Sequence, residues 1–294
     1  MSRITTPAAQ TEILSPWRRT LPATLGLYLH FIRLAFLKFL AYRLRYYTGV
    51  VSYTIFVSGH YYLYTALFAD RLLLEGADAT IGGLTLPEMI TYVAVGWIGR
   101  SFYFNNIARE LSGYIHEGQI AMQLIKPYHV QTVMMFEALG ESAFRLLMFT
   151  GPIMIVIVPL FKIAAPPEPM LYLWTLVSFM LALGIYSQLN FLLGCVAFHL
   201  KNIQGVLRAK MVSMDFLTGV ILPFTFFPDW FQQAMNYLPF QYISYVPVTI
   251  YLGKRTGDAL TEALLIQLAW TLGLGLAGRL YYDYSVRRVT VQGG

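Results

Sequence analysis

MLYLWTLVSFMLALGIYSQLNFLLGCVAFH, residues 170–199, runs for 30 residues without one Asp, Glu, Lys or Arg. A helix rises about 1.5 Å per residue, and a bilayer's hydrocarbon core is about 30 Å thick, so about 20 apolar residues suffice to cross it. The stretch is too long and too apolar for an ordinary soluble helix. Similar segments are read at 47–69, 87–104, 132–161 and 259–282, with a shorter one at 211–227. The predicted fold is therefore an all-α integral membrane protein with six transmembrane helices.

Composition agrees. Of 294 residues, 57% are hydrophobic and 12% charged, and the mean hydropathy is +0.55. A soluble domain carries about 25% charged residues. The net charge of +6 has an ordinary source, because cytoplasmic loops of membrane proteins keep Lys and Arg. No basic run with interleaved aromatics marks a nucleic-acid surface. Six spans with both termini cytoplasmic place 16 basic residues inside and 4 outside (Arg71, Lys162, Lys254 and Arg255), with Arg145 in a span. A seventh span at 238–252 would move the C-terminal basic residues outward, against the positive-inside rule. The expected location is the cytoplasmic (inner) membrane, multi-pass. Residues 1–20 lack a signal-peptide core, so the first span is expected to act as its own insertion signal.

The connecting segments divide the chain further. Residues 1–21 read as a flexible cytoplasmic N-terminus. Residues 22–46 (PATLGLYLHFIRLAFLKFLAYRLRY) place His30, Arg33, Lys38 and Arg45 on one arc and Leu29, Ile32, Phe36, Phe39 and Leu40 opposite, with Arg43 off the arc. This is the pattern of an amphipathic helix lying in the interface. Residues 47–283 form the six-span domain, and 284–294 a cytoplasmic tail. Gly82-Gly83 breaks the first outer loop. Residues 228–256 are apolar but broken by Pro228, Pro239 and Pro247. They are expected as short re-entrant helices, because irregular backbone at membrane depth must be buried in protein or line a cavity.

Residues 105–129 (NNIARELSGYIHEGQIAMQLIKPYH) make the largest cytoplasmic segment between spans. Ile107, Leu111 and Ile115 sit at helical spacing beside Arg109, Glu110 and Glu117, punctuated by Gly113 and Gly118. Within the third span Glu137, Glu141 and Arg145 recur at i, i+4 and i+8, the favoured acid-before-base order, and intramembrane ionisable groups are candidates for function. They read as an ion network, structural, a proton relay or a cationic-substrate site. Gln188 and Asn190 read as inter-helix hydrogen-bonding groups. Asp215, near Gln204 and Lys210, is expected to pair within the chain, and His60 and His199 to bond near span ends. Cys195 reads as a small buried hydrophobe, since one cysteine forms no internal disulfide and no zinc spacing exists. No metal site is expected. The Glu-x-x-x-Glu spacing lacks the further ligands of a di-metal bundle.

Three features together resemble the membrane subunits of ATP-binding-cassette exporters, the six-span permeases that pair with a separate ATPase chain. They are the helix 22–46 before the first span, the pattern Ser112-Gly113-x-Ile115-x-x-Gly118-x-Ile120-x-x-x-Leu124-x-Lys126-Pro127, and the run Pro223…Phe227-Pro228-x-Trp230…Leu238-Pro239-Phe240…Tyr245-x-Pro247…Ile250-Tyr251-Leu252-Gly253. The resemblance implies a coupling helix between spans two and three, with Arg109, Glu110, Gly113, Ile115, Glu117, Gly118 and Gln119 seated in an ATPase groove. It implies re-entrant helices after span five that carry Pro228, Trp230, Pro239, Phe240 and Pro247. It also implies two ATPase copies, a second permease, identical or homologous, contact with membrane lipids, and outward passage of an amphipathic, lipid-like or drug-like substrate. No Gly-x-x-x-x-Gly-Lys-Ser/Thr loop is present, so no cofactor is expected in this chain, and ATP and Mg belong to the partner. No catalytic residue is expected. Two readings compete: a proton- or ion-coupled carrier using Glu137, Glu141 and Arg145, and an intramembrane enzyme, for which no clustered nucleophile and base emerge.

Overall fold

Apolar runs with few interruptions become helices, and prolines and glycines set their ends. The computed structural model describes residues 21–41, 44–76, 79–200 and 202–287. The expectations for residues 1–20, Arg43, Lys201 and 288–294, and for the Arg45 side chain, fall outside what is described. The helices are α1 (Leu21–Ala41), α2 (Leu44–Glu75), α3 (Leu86–Tyr103), α4 (Ile107–His116), α5 (Ile120–Leu124), α6 (Val130–Arg145), α7 (Gly151–Leu160), α8 (Met170–Cys195), α9 (Gln204–Leu217), α10 (Asp229–Asn236), α11 (Tyr245–Tyr251) and α12 (Gly257–Val286). An antiparallel pair, β1 (Thr80–Ile81) and β2 (Leu84–Thr85), joins α2 to α3. Its turn is Gly82-Gly83, both at positive φ (60° and 75°), as a two-residue hairpin requires. This hairpin is the one departure from an all-α chain among the described residues.

Three helical stretches are long and apolar enough to cross a membrane: Val130–Leu160, Met170–Phe198 and Gly257–Val286. The first is α6 and α7 joined through a π-helical turn, Leu146–Thr150. Its cause lies two residues further on. Pro152 has no N–H and its ring crowds the preceding turn, and the ladder opens there so that the Gly151 N–H reaches the Leu146 carbonyl. α2 follows the expected first span but is longer, and α3 the second. The fifth span is corrected. Instead of 211–227, the helix is α9, which begins at Gln204 and stops at Leu217. Gly219 (φ 76°) then turns the chain, and the Tyr92 hydroxyl donates to its carbonyl. The rival seventh span fails. α11 is 7 residues long, about 10 Å, and cannot cross the core.

α12 runs along α8, α11 packs on α8 and α3, and α2 packs on α3 and α7. The main core is built from Tyr64, Tyr92, Ile153, Ile185, Ile243 and Val248 among others. Polar links cross it: Gln267 donates to the Tyr242 carbonyl (2.7 Å) and accepts from Ser178 (2.8 Å), and Gln131 donates to Gln188 (2.9 Å) and to the Gly275 carbonyl (2.8 Å). The outer-loop segments gather at one end. Gly82 lies against Thr225, Tyr251 donates to the Ala164 carbonyl (3.0 Å), and Lys254 pairs with Glu88 (2.6 Å). The opposite end joins α4 to the 196–200 turn and to the end of α12, through His116 with the Leu200 carbonyl (3.0 Å) and His199 with Ser285 (3.2 Å).

The apolar side of α1 divides between protein contact and open surface. Tyr28, Phe31, Phe36 and Phe39 meet Phe136, Tyr128 and Phe144, so α1 lies lengthwise against α6. Leu29 is exposed together with Leu25, Leu34 and Leu37. The contact is close enough that a Cβ on Gly140 would fall on the Ile32 carbonyl. Gly140→Val is therefore expected to cost about 1–3 kcal/mol through overpacking, read as a lower Tm in detergent. Gly26→Ala on the same helix pair, where nothing lies within 4 Å, leaves Tm unchanged or slightly raised.

Candidate functional site

The segment 105–129 folds as two helices with a tight turn. α4 buries Ile107, Ala108, Leu111 and Ser112, fulfilling part of its apolar period. Gly194 of α8 permits the approach: a Cβ there would stand 3.0 Å from Leu111 Cβ and 3.2 Å from Ala108 Cα. Leu111 joins Ile120, Val130, Phe191, Cys195 and Tyr282 in a second core at this end. At the turn Gly118 has φ 72°, a conformation that costs any residue with a Cβ. Beyond it Met122, Leu124 and Ile125 are 60%, 43% and 73% exposed. These three apolar side chains, of which only Leu124 belongs to the motif quoted from the sequence, form the tip.

The seven residues expected in the coupling helix separate. Glu117, Gly118 and Gln119 form the exposed turn, where Gln119 donates to Glu117 (2.8 Å). Gly113 and Ile115 are half-buried. Arg109 and Glu110 point back to the body. Glu110 accepts from Lys38 of α1 (3.3 Å). Burial works against the Lys38 ammonium, but Glu110, and then Glu137, hold its pKa above the ordinary lysine value.

The i, i+4, i+8 series on α6 also divides. Arg145 donates to Glu141 through Nε (3.0 Å) and Nη2 (2.6 Å), both residues buried. Glu137 is half-buried and lies toward Lys38 and Glu110, not within the Glu141–Arg145 pair.

The strongest polar contact at this level was not paired from sequence. Arg100, in the last turn of α3, grips Asp215 of α9 bidentately (Nε–Oδ1 2.7 Å, Nη2–Oδ2 2.9 Å) and donates to the Tyr53 hydroxyl of α2 (3.0 Å). Trp97 and Phe104 lie against its guanidinium at 5.3 and 5.1 Å. Arg100 is one of the 16 basic residues counted on the cytoplasmic side, and Asp215 lies near Lys210 in sequence. Lys210 instead donates to Asn190 (2.6 Å). The signal for the pair was one base and one acid at the same predicted depth of two spans, a weak one without contact information.

Beside this pair is an open cleft of about 640 Å³ between α1, α2, α3, α4 and α6. Lys38, Arg100, Arg109 and Arg145 line it with Phe39, Phe104 and Phe149.

Of the re-entrant residues, Pro228 opens α10, on which Trp230 is 70% exposed. Pro239 and Phe240 begin a single 3₁₀ turn, and Pro247 is buried within α11. They form two places rather than one site: an exposed α10 and a buried α11.

The sequence profile of the ABC-2 family transporter proteins matches residues 60–293. The chain belongs to that family and is an ABC transporter permease, a multi-pass membrane protein whose role is transport and not catalysis. Among curated proteins none matches it. ABC-2 permeases normally work with an ABC ATPase.

Arg100→Met alone is expected to lower stability by about 1–3 kcal/mol, because the partly buried Asp215 loses its charge-assisted hydrogen bonds. The double variant Arg100→Met with Asp215→Leu recovers much of that loss. Thermal unfolding of both in one detergent checks it.

Proposed function

We propose that this chain is the membrane-spanning subunit of an ATP-driven exporter in the cytoplasmic membrane, and that a separate ATPase docks on the α4–α5 turn. The observation that carries this reading is the tip itself. Met122, Leu124 and Ile125 are exposed, while the other side of α4 is locked to α8. An exposed apolar cluster with charged neighbours is a protein-docking surface, and a lever must be rigid on its inner side to transmit force. The tip stands at the end of the bundle that the charge distribution assigns to the cytoplasm.

In this reading six segments cross: α2, α3, α6–α7, α8, α9 with the chain that follows it, and α12, with both termini cytoplasmic. α1 lies at the inner interface. The functional complex holds two permeases, identical or related, and two ATPases that bind ATP and Mg. Closure of the ATPases pushes α4, and the spans reorient to release an amphipathic substrate outward. The α6 series gives less support to an ion-coupled carrier, since a relay requires a continuous path and Glu137 stands apart from the Glu141–Arg145 pair.

Ile125→Glu together with Met122→Glu is expected to abolish copurification of the ATPase and ATP-driven export, with the permease's own Tm unchanged because both side chains are already exposed. Full copurification and export by this variant would refute the docking role. A Gly118→Val variant keeps the contact but strains the turn. It is expected to leave ATP hydrolysis measurable and export reduced.

A further inference from the structure

We propose that the cleft between α1, α2, α3 and α4 receives the acidic headgroup of an anionic amphiphile from the cytoplasmic leaflet, which deepens the export reading by naming the class of its substrate. Four cations line the cleft and no carboxylate does. The acids that compensate three of them stand outside its lining: Glu110 on Lys38, Asp215 on Arg100 and Glu141 on Arg145. The Arg109 side chain has no hydrogen-bond or ion-pair partner among the described residues and is exposed into the same space. Among the described residues the inner surface is therefore left with one uncompensated positive charge, that of Arg109, whose guanidinium offers forked donors suited to phosphate or carboxylate oxygens.

The geometry is prepared before any ligand arrives. Phe104 lies against two guanidiniums, Arg100 at 5.1 Å and Arg145 at 5.3 Å. Asp215 and Tyr53 fix Arg100, and Glu141 fixes Arg145. Charged side chains held in place in this way lose little further freedom on binding. Arg109, exposed and not held by an acid among the described residues, is the member that would close onto the ligand.

Two features favour an amphiphile over a free anion. Phe39 and Phe149 line the cleft beside the cations, so it offers apolar surface as well as charge. On the same helices Leu34 and Leu37 of α1 and Val51 and Ile55 of α2 are exposed, giving a tail an apolar surface on which to lie. The cleft also stands between the lever and the spans: Arg109 and Asn106 belong to the α4 segment, and Arg100 and Arg145 to α3 and α6.

The test uses the full-length permease in phosphatidylcholine nanodiscs without its ATPase, so its outcome is independent of docking. Calorimetric titration compares dodecyl phosphate, dodecyl phosphocholine and inorganic phosphate. Saturable binding of dodecyl phosphate is expected, with little from the zwitterion and weak competition by inorganic phosphate. Arg109→Gln is expected to weaken binding about tenfold or more, the effect of losing one charge-assisted contact, and Lys38→Gln to weaken it less, both with unchanged Tm. Equal binding by wild type and both variants would overturn the site. Equal affinity for dodecyl and inorganic phosphate would overturn the amphiphile. Binding that holds while no ATPase copurifies would support this site and count against the docking reading alone.

Discussion

A peptide N–H or C=O facing hydrocarbon has no water to bond, and each such group left unpaired costs several kcal/mol. Most of the architecture follows from that constraint. The long apolar segments take the one local structure that satisfies itself. Where the chain must depart from a helix it is covered by protein. The 218–256 stretch is the clearest case. Its turn at Gly219 receives Tyr92 and its Thr218 carbonyl receives the Tyr245 N–H (3.1 Å). Gln267 reaches the Tyr242 carbonyl from α12. α11, too short to span, is almost wholly buried between α3 and α8. The same constraint gives the π turn at 146–150 its place. It frees the ladder where Pro152 interrupts it, and Phe149 within it faces the basic cleft.

Features that depend on length and composition were legible in the sequence. α8 could be read because an uncharged run of that length has few alternatives, and α12 because its charges lie toward its two ends. The hairpin turn was visible as Gly82-Gly83, and the shortness of α11 was foreshadowed by Pro239 and Pro247. Features that depend on which face meets which neighbour were not legible. The wheel of α1 separated basic from apolar residues correctly but could not tell a face against α6 from one open to lipid, since both are apolar. Leu29 and Ile32 look alike on a wheel and part company in space. α9 was misplaced for a related reason. Residues 218–227 are apolar enough for a span, but Gly219 and Pro223 end the helix, and their apolar character serves burial.

Charge posed the harder problem. Spacing along one helix suggests partners at i+4, and Glu141 with Arg145 obeyed that rule. Glu137, with the same spacing to Glu141, instead faces a neighbouring helix. Arg100 and Asp215, 115 positions apart, have no local signature. Near hydrocarbon a charge finds a partner wherever the fold brings one, because the cost of leaving it alone is large. Sequence distance is then a poor guide and depth a better one.

α4 is where these arguments meet. One side carries Leu111 onto Gly194, at a separation that leaves no room for a methyl group. Its far end leads through the Gly118 turn to the exposed tip, and its near end brings Arg109 and Asn106 to the cleft. α4 is only 10 residues long, about 15 Å, so a force applied at the tip reaches the cleft through one tight turn and one short rigid helix. Displacing α4 moves Arg109 relative to Arg100 and Arg145, which are anchored on α3 and α6 by their own acids. A cleft whose cations belong to separate moving parts changes its affinity for an anion when those parts shift. Affinity that differs between two states is what a transport cycle must couple to its fuel. The same residues would serve poorly on one helix, where their spacing would be fixed. On the proposed reading, distribution of the charge over α1, α3, α4 and α6 is therefore the property that would suit the cleft to release as well as capture.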